Sequence, residues 1–436
     1  MTANSWVPPL PNGWQKTTLR RMGRIFAGGT PDRKNESYWS GGEIPWLNSG
    51  AVNQEIITQP TTFITEQAIM NGATRWVAPK SVLIALAGQG KTKGMSARTE
   101  IRSTFNQSLA AIEPHNSLDY RYLHYWVQSN YQNIRNLAGG DLRDGLNLEH
   151  IGSIELPLPP QATQHRIADY LDHETAEIDA LMNDLETFDR LLVEHFSSFA
   201  ERRIWQHKFP LCKAKYFCDT LSGFPFKSGE FQDPSPTNRR LLRGINVSPG
   251  TLTWADCVAI AEESAAGYRE FEIAEGDLLL GLDRPLITDG LRVAPAKAED
   301  AGSLLVQRVL RIRVDKAQTS TRWVQLTLQG SKFKDFLIPS FSGVSVPHMS
   351  PGQVENFKIP LPSMSEQEEV LKQVDAEENV MSQTRSDIRS AIALARERRA
   401  ALITAAVTGQ IDVTAKNKPA AEQLEDNIAQ GLHREN

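Results

Sequence analysis

The sequence predicts an α+β protein made twice over: two mixed α/β units separated by two long antiparallel coiled-coil helices, with pseudo-two-fold symmetry. The first observation behind this is an internal repeat. LPLPPQATQHRIADYLDHETAEID near residue 156 returns as IPLPSMSEQEEVLKQVDAEENVMS near residue 359. Pro157 and Pro360, Gln164 and Gln367, Asp172 and Asp375, and Glu194 and Glu397 all stand 203 positions apart. That period is too long for a solenoid repeat of roughly 20–50 residues and marks a duplicated half-molecule. The second observation is a heptad stripe in both copies. Leu171, Ile178, Leu185, Leu192 and Phe199 step by seven, and Val374, Met381, Ile388, Ala395 and Leu402 step by seven at the same offset. The third is that sequence likeness is concentrated in the helices while the units before them diverge.

The elements follow in order. A first unit covers 1–156 and a first long helix 157–207. A second unit covers 208–359 and a second long helix 360–410. A polar tail, 411–436, is low in large apolar residues and is expected to be disordered. Each helix starts after a proline-rich stop, because proline ends a strand and restricts the residue before it. Ser363 or Ser365 is placed to cap the second helix, and Gly409 to end it. Leu181, Phe188 and Phe196 are expected to fill a second stripe on the first helix. Equal length and phase predict that the two helices pair with each other. At 1.5 Å per residue, 44 residues make a rod of roughly 66 Å, long enough to act as a ruler. Within the units, Ser81–Ala87 (SVLIALA) and Asp277–Leu282 (DLLLGL) read as buried strands, and APKSVLIAL aligns with AEGDLLLGL.

Composition bounds the function. A hydrophobic fraction of 40% and a charged fraction of 23% are those of a globular protein. Cys212, Cys218 and Cys257 form no CxxC pair, and an odd count argues against a disulfide framework. No basic-then-apolar leader opens the chain, and the apolar run Val82–Ala87 is far short of a span, so a cytoplasmic protein without membrane contact is expected. The net charge of −5 is unevenly spread: +3 over 1–160, −6 over 161–204, +2 over 205–360 and −4 over 361–436. Mildly basic units alternating with acidic helices suit a molecule whose globular parts touch phosphate. A two-fold molecule in turn suits a two-fold partner such as double-stranded DNA.

The sharpest local motif is GQGKTKG, Gly88–Gly94, directly after a predicted strand. A phosphate-cradling P-loop needs glycine at position 85, where the chain has Ala85. The loop still offers Gln89, Lys91, Thr92 and Lys93 to a phosphate or a base edge. Further basic candidates are Arg20, Arg24, Arg33, Lys34 and Arg98 in the first unit, and Arg239, Arg240, Arg243 and Arg284 in the second. Arginine is the natural bidentate reader of guanine and of phosphate. Catalytic patterns are missing: no GxGxxG cofactor loop, no Asn/Asp-Pro-Pro-aromatic motif, no G-x-S-x-G elbow, and no Cys/His cluster for a metal. The rival reading is a standalone nucleotide-dependent or DNA-modifying enzyme built around GQGKTKG; another is a coiled-coil adaptor.

These motifs, in this order, resemble the specificity subunits of type I restriction–modification systems. The likeness rests on LPNGWQKTTL (Leu10–Leu19), GGTP (Gly28–Pro31), IPWLNSGAV (Ile44–Val52), GQGKTKG, NQSLAAI (Asn106–Ile112), both proline-led helices, and AAVTGQIDV (Ala405–Val413). FPLCKAKYF, at the start of the second unit, departs from the pattern by lacking the Pro-x-Gly-Trp lead. The resemblance implies a non-catalytic DNA reader with two target-recognition domains, each taking one half of a split, asymmetric site. It implies two adenine-N6 methyltransferase subunits as partners, carrying S-adenosylmethionine chemistry, and two motor–nuclease subunits using ATP and Mg. No cofactor would be bound by this chain itself.

Overall fold

The computed structural model describes residues 6–88, 90–138, 145–288, 290–341 and 347–413. The chain folds as two compact units, Met1–Leu185 with Ser390–Asn436, and Glu186–Arg389. Each unit thus holds one globular part and a stretch of both long helices, Gln161–Ile204 and Met364–Val407. The tail from residue 414 onward lies outside the described residues, whereas Ile411 is buried in the first unit's core. Among the described residues, no helix is long and apolar enough to cross a membrane.

In the first unit a five-stranded sheet runs in the order Gly23–Ala27, Leu109–Pro114, Ser81–Ala85, Ser96–Thr99, Ile56–Ile57. Its first four strands are mutually antiparallel, and Ser81–Ala85 is buried along its whole length, as a central strand covered on both faces must be. A second, four-stranded sheet carries Ile44–Leu47 beside Ser103–Phe105. The second unit repeats the plan. Cys218–Ser222, Val309–Val314, Leu278–Gly281 and Val293–Pro295 form its main sheet, and Asn238–Leu242 pairs in parallel with Leu304–Leu305 in the other. Gln15–Thr18 pairs with Glu155–Leu158 just before the first helix. Leu211–Lys213 pairs with Lys358–Pro360 in the same way, so FPLCKAKYF forms its strand without the Pro-x-Gly-Trp lead.

The repeated glutamines are buried locks. Gln164 donates from Nε2 to the carbonyls of Ser117 and Pro159, and its Oε1 accepts from the amide of Asp119 at 2.8 Å. Gln367 donates to the carbonyls of Gln318 and Pro362, and its Oε1 accepts from Thr319 and Ser320. Each lock ties the start of a long helix to the N-terminus of a shorter one, Tyr120–Ser129 or Thr321–Gln329. Tyr122 and Trp323, equivalent positions of those helices, both donate to the carbonyl of the repeated proline, Pro157 or Pro360. Asp172 accepts from Arg98, Arg121 and Tyr125, and Asp375 accepts from Arg322. Burial pushes the Asp172 carboxyl up, but these donors outweigh it and hold it below the usual range.

Within each unit the long helices run antiparallel. The first unit buries Ile167 and Leu171 with Leu402, Ile403 and Val407, and the second buries Ala200 and Ile204 with Val370 and Val374. All ten heptad positions are buried or half-buried. The second stripe differs from the expected one. Leu181 and Phe188 are exposed, at 53% and 48%, and the inward positions are Thr175, Met182, Asp189 and Phe196. A period of 3.6 lets the second stripe lie three or four residues after the first, and the partner helix selects the four-residue step here. This places Asp189 in the seam, where Arg385 grips it through Nε at 2.7 Å and Nη2 at 2.9 Å.

In the first unit Arg399 joins Glu55 at 2.6 Å and Asp179 at 2.9 Å, with Gln128 also on Glu55. Burial pushes the Glu55 carboxyl up, but Arg399 outweighs it and leaves it below the usual range. Fully buried His124 sits against this network. Burial lowers its pKa, the Glu55 charge opposes that, and Arg98 adds to it. A histidine depressed below its ordinary 6.5 is protonated first in the unfolded chain, so its contribution is complete above that value and is lost as pH falls. The first unit should therefore lose at least about 1 kcal/mol of stability between pH 6.5 and 5. His124→Gln should flatten that slope in urea melts taken across the pH range; an unchanged slope would assign the acid sensitivity to other groups.

Candidate nucleic-acid interface

The strands of each unit end together in a set of turns, and backbone bonds join those turns in the same way twice. In the first unit Gly29 donates to the carbonyl of Phe105, Asn106 to that of Leu47, and Leu86 to that of Ser108, at 2.8–2.9 Å. In the second, Phe224 donates to Leu305, Val306 to Leu242, and Leu282 to Arg308, at 2.9–3.0 Å. Gly28 and Gly223 are demanded by this closeness: a Cβ on either would collide with the carbonyl of Phe105 or of Val306. A fixed backbone end therefore carries two different sets of side chains.

In the second unit these turns enclose a cleft of about 800 Å³. Arg243, Arg284, Arg292 and Arg308 line it together with Gln307, and Asp283 is the one acid among the lining residues. Ile245 and Ile287, 59% and 42% exposed, stand on its rim. Arg292 is structural, donating from Nε to Val247 and from Nη1 to the carbonyl of Asp283, and burial lowers its pKa. Arg284 and Arg308 have φ of +44° and +70°, a left-handed backbone costly for a residue with a side chain. The Asp283 carboxylate meets His348 at 2.7 Å and Arg308 at 3.5 Å, so one acid orients the groups on one wall. Arginine forks concentrated beside apolar groups, Arg243 and Arg292 half-buried and Arg284 and Arg308 exposed, fit the edges of guanine, the methyl of thymine and the phosphates.

In the first unit the equivalent turns carry Thr30, Asn48 and Gln107, with Thr30 donating to Gln107. This is a polar, largely uncharged set, and a glutamine or asparagine amide matches the N6/N7 edge of adenine. Exposed Arg33 and Lys34 follow Thr30 in the same loop. The GQGKTKG loop leads from Ser81–Ala85 into the antiparallel strand Ser96–Thr99, whereas a phosphate-binding P-loop opens a helix. Arg135 donates to the carbonyls of Gly90 and Lys93, and the Tyr131 hydroxyl to that of Lys91. Lys91 is exposed and Thr92 half-buried, but Lys93 is buried, and Gln89 lies outside the described residues.

Several other sequence candidates stand elsewhere. Arg98 is 8% exposed and bonded to Asp172, because its strand position faces the long helix. Arg24 pairs with Glu113 and stacks on Phe26 towards the opposite end of its strand from Gly28, and Arg20, on the short helix Leu19–Met22 before that strand, donates to the carbonyl of Gly152. Arg239 is held by Glu262 and Glu272, and Arg240 bonds the carbonyl of Glu299 over Trp254. Only Arg243 and Arg284 of the second unit's candidates line the cleft. Arg308 and Gln307 were missed by the sequence reading. Aligning NQSLAAI with VQRVLRI, residues 306–312, would have found them, since Gln107 and Gln307 take the same place.

Comparison with known proteins bears on the family and the fold. The model of the type I restriction modification DNA specificity domain matches residues 11–187. The chain is 31% identical over 164 residues to the EcoAI specificity subunit of Escherichia coli, covering 38% of this chain and 27% of that protein. It is 22% identical over 396 residues to the MjaVIII specificity subunit of Methanocaldococcus jannaschii, covering 87% of this chain and 89% of that one. Of the first curated relatives, EcoAI and EcoR124I/EcoR124II, the chain spans only 27% and 41% of the length. A solved chain described under complex assembly and conformational transition of the type I R-M system shares the fold, with a TM-score of 0.64 at 14% identity, covering 93% of this chain and 100% of that one. Residues 11–187 thus match a type I DNA specificity domain, and over most of its length the chain is similar to type I restriction–modification specificity subunits.

Proposed function

We propose that this chain is the non-catalytic specificity subunit of a type I restriction–modification complex, reading a split DNA site with one half taken by each unit. The observation that carries this is the repeated set of joined strand ends with unlike side chains, Gln107 with Asn48 in one unit and Gln307 with Arg284 and Arg308 in the other. A shared backbone with divergent tips is what reading two different half-sites requires. The partners are double-stranded DNA, adenine methyltransferase subunits bringing S-adenosylmethionine, and motor–nuclease subunits using ATP and Mg, all in the cytoplasm. The reading predicts independent halves. In a complex reconstituted with the modification subunits, Gln107→Ala should alter bases in one half of the methylated motif and Gln307→Ala bases in the other. Sequencing of methylated sites reads this directly. A motif that is not split, or two substitutions that change the same bases, would sink it.

A further inference from the structure

We propose that the charged positions of the two long helices make them pair as unlike partners, and so bar the first half of one molecule from pairing with the first half of another. This goes beyond the DNA-reading role and does not depend on it. The hazard comes from the duplication itself. Both helices carry an apolar heptad stripe of the same phase, so each resembles its own partner, and stripes of this kind do not by themselves choose between like and unlike pairing.

The second stripe breaks the likeness. Positions related by 203 residues hold unlike groups: Asp189 corresponds to Ile392, Arg385 to Met182, and Arg399 to Phe196. In the folded chain charge meets charge. Asp189 and Arg385 form a two-pronged pair with both side chains about a quarter exposed, and Arg399 is clasped by Glu55 and Asp179. Continued along both helices, the Asp189–Arg385 register matches position 182 with position 392, a half-buried methionine with a buried isoleucine. Two first halves joined in that register would instead set Asp189 against Met182 of the second copy. Glu55 and Asp179 would then face Phe196 of that copy. Each of these three matches becomes a charge against hydrocarbon, which is how coiled coils reject wrong partners. Discrimination is weaker against two second halves, where Arg385 would face Ile392 but Glu378 would meet Arg399.

The test starts from the full-length chain with a protease site inserted between His207 and Lys208, both exposed, on the connection from Ile204 to Leu211. The folded protein is cleaved, the pieces are unfolded together in urea and refolded, and native mass spectrometry counts like and unlike pairs. Wild-type pieces should return as unlike pairs. In D189I/R385M, whose seam repeats the apolar pair, pairs of first pieces should rise at least about tenfold. Charge-reversed D189R/R385D should stay unlike, because its ion pair survives. Random pairing of wild-type pieces, or no rise in D189I/R385M, would overturn the proposal. Uncut chains give a second reading: refolded at high concentration, D189I/R385M should form exchanged dimers in sedimentation while wild type and D189R/R385D do not. Their absence from D189I/R385M would equally overturn it.

Discussion

Gln164→Leu is expected to cost the first unit about 3–5 kcal/mol, and Gln367→Leu to cost the second unit as much. Each glutamine is buried, at 1% and 0% exposure, and its amide is fully used. Leucine fills a similar volume, so the loss is not a cavity. It is the stranding of the amide of Asp119 and the carbonyls of Ser117 and Pro159 in one unit, or of the amide of Ser320 and the carbonyls of Gln318 and Pro362 in the other, each worth about 1–3 kcal/mol when left buried and unpaired. The groups freed lie where a long helix and a shorter helix begin, so both helix starts should loosen together. Hydrogen exchange followed by mass spectrometry separates the units: Gln164→Leu should lower protection in Tyr120–Ser129 and the start of Gln161–Ile204, and Gln367→Leu in Thr321–Gln329 and the start of Met364–Val407. Protection unchanged in both would mean that the locks are redundant with the packing around Tyr122 and Trp323.

Those glutamines also explain what was legible in the sequence. They recur because one residue does one job twice, binding backbone groups whose positions are fixed by the fold, and so the scaffold could be read from the repeat alone. The tips could be read that way only at Gln107 and Gln307, because their other side chains differ between the halves. Counting basic residues misled for a physical reason. Arg98 is used by Asp172, which is 74 positions away in sequence, and Arg239 by Glu262 and Glu272, so neither charge reaches the reading end. Sequence displays the arginine but not the carboxylate that folding brings to it. The heptad stripe was visible through Leu171 and its successors, but its companion was misplaced onto Leu181 and Phe188. A search for apolar residues passes over Asp189, which enters the seam only because Arg385 is there to meet it. The resemblance to specificity subunits rested on motif order rather than on any single site, and GQGKTKG belongs to it as a hairpin loop.

Replacing Arg284 and Arg308 together by glycine is expected to move stability and DNA binding in opposite directions. Both residues hold a positive φ that glycine adopts freely, so R284G/R308G should stabilise the second unit by about 1 kcal/mol in urea unfolding. The same change removes two guanidinium groups from a cleft whose lining includes four arginines and one carboxylate. If they meet DNA, affinity of the assembled complex should fall by roughly 100-fold, with the plot of log affinity against log salt shallower by about two. Keeping the charge without the guanidinium fork, as in R284K/R308K, should recover the salt slope but not the sequence preference, because lysine cannot make the two-pronged contact to a base edge. A purely structural role for these arginines predicts a different pattern: stability would fall with the side chains, through loss of the Asp283–Arg308–His348 contacts, and DNA affinity would be unmoved. A strained backbone relieved at the expense of binding is what a site kept for recognition should give, since the fold alone gains nothing from an arginine at a left-handed position.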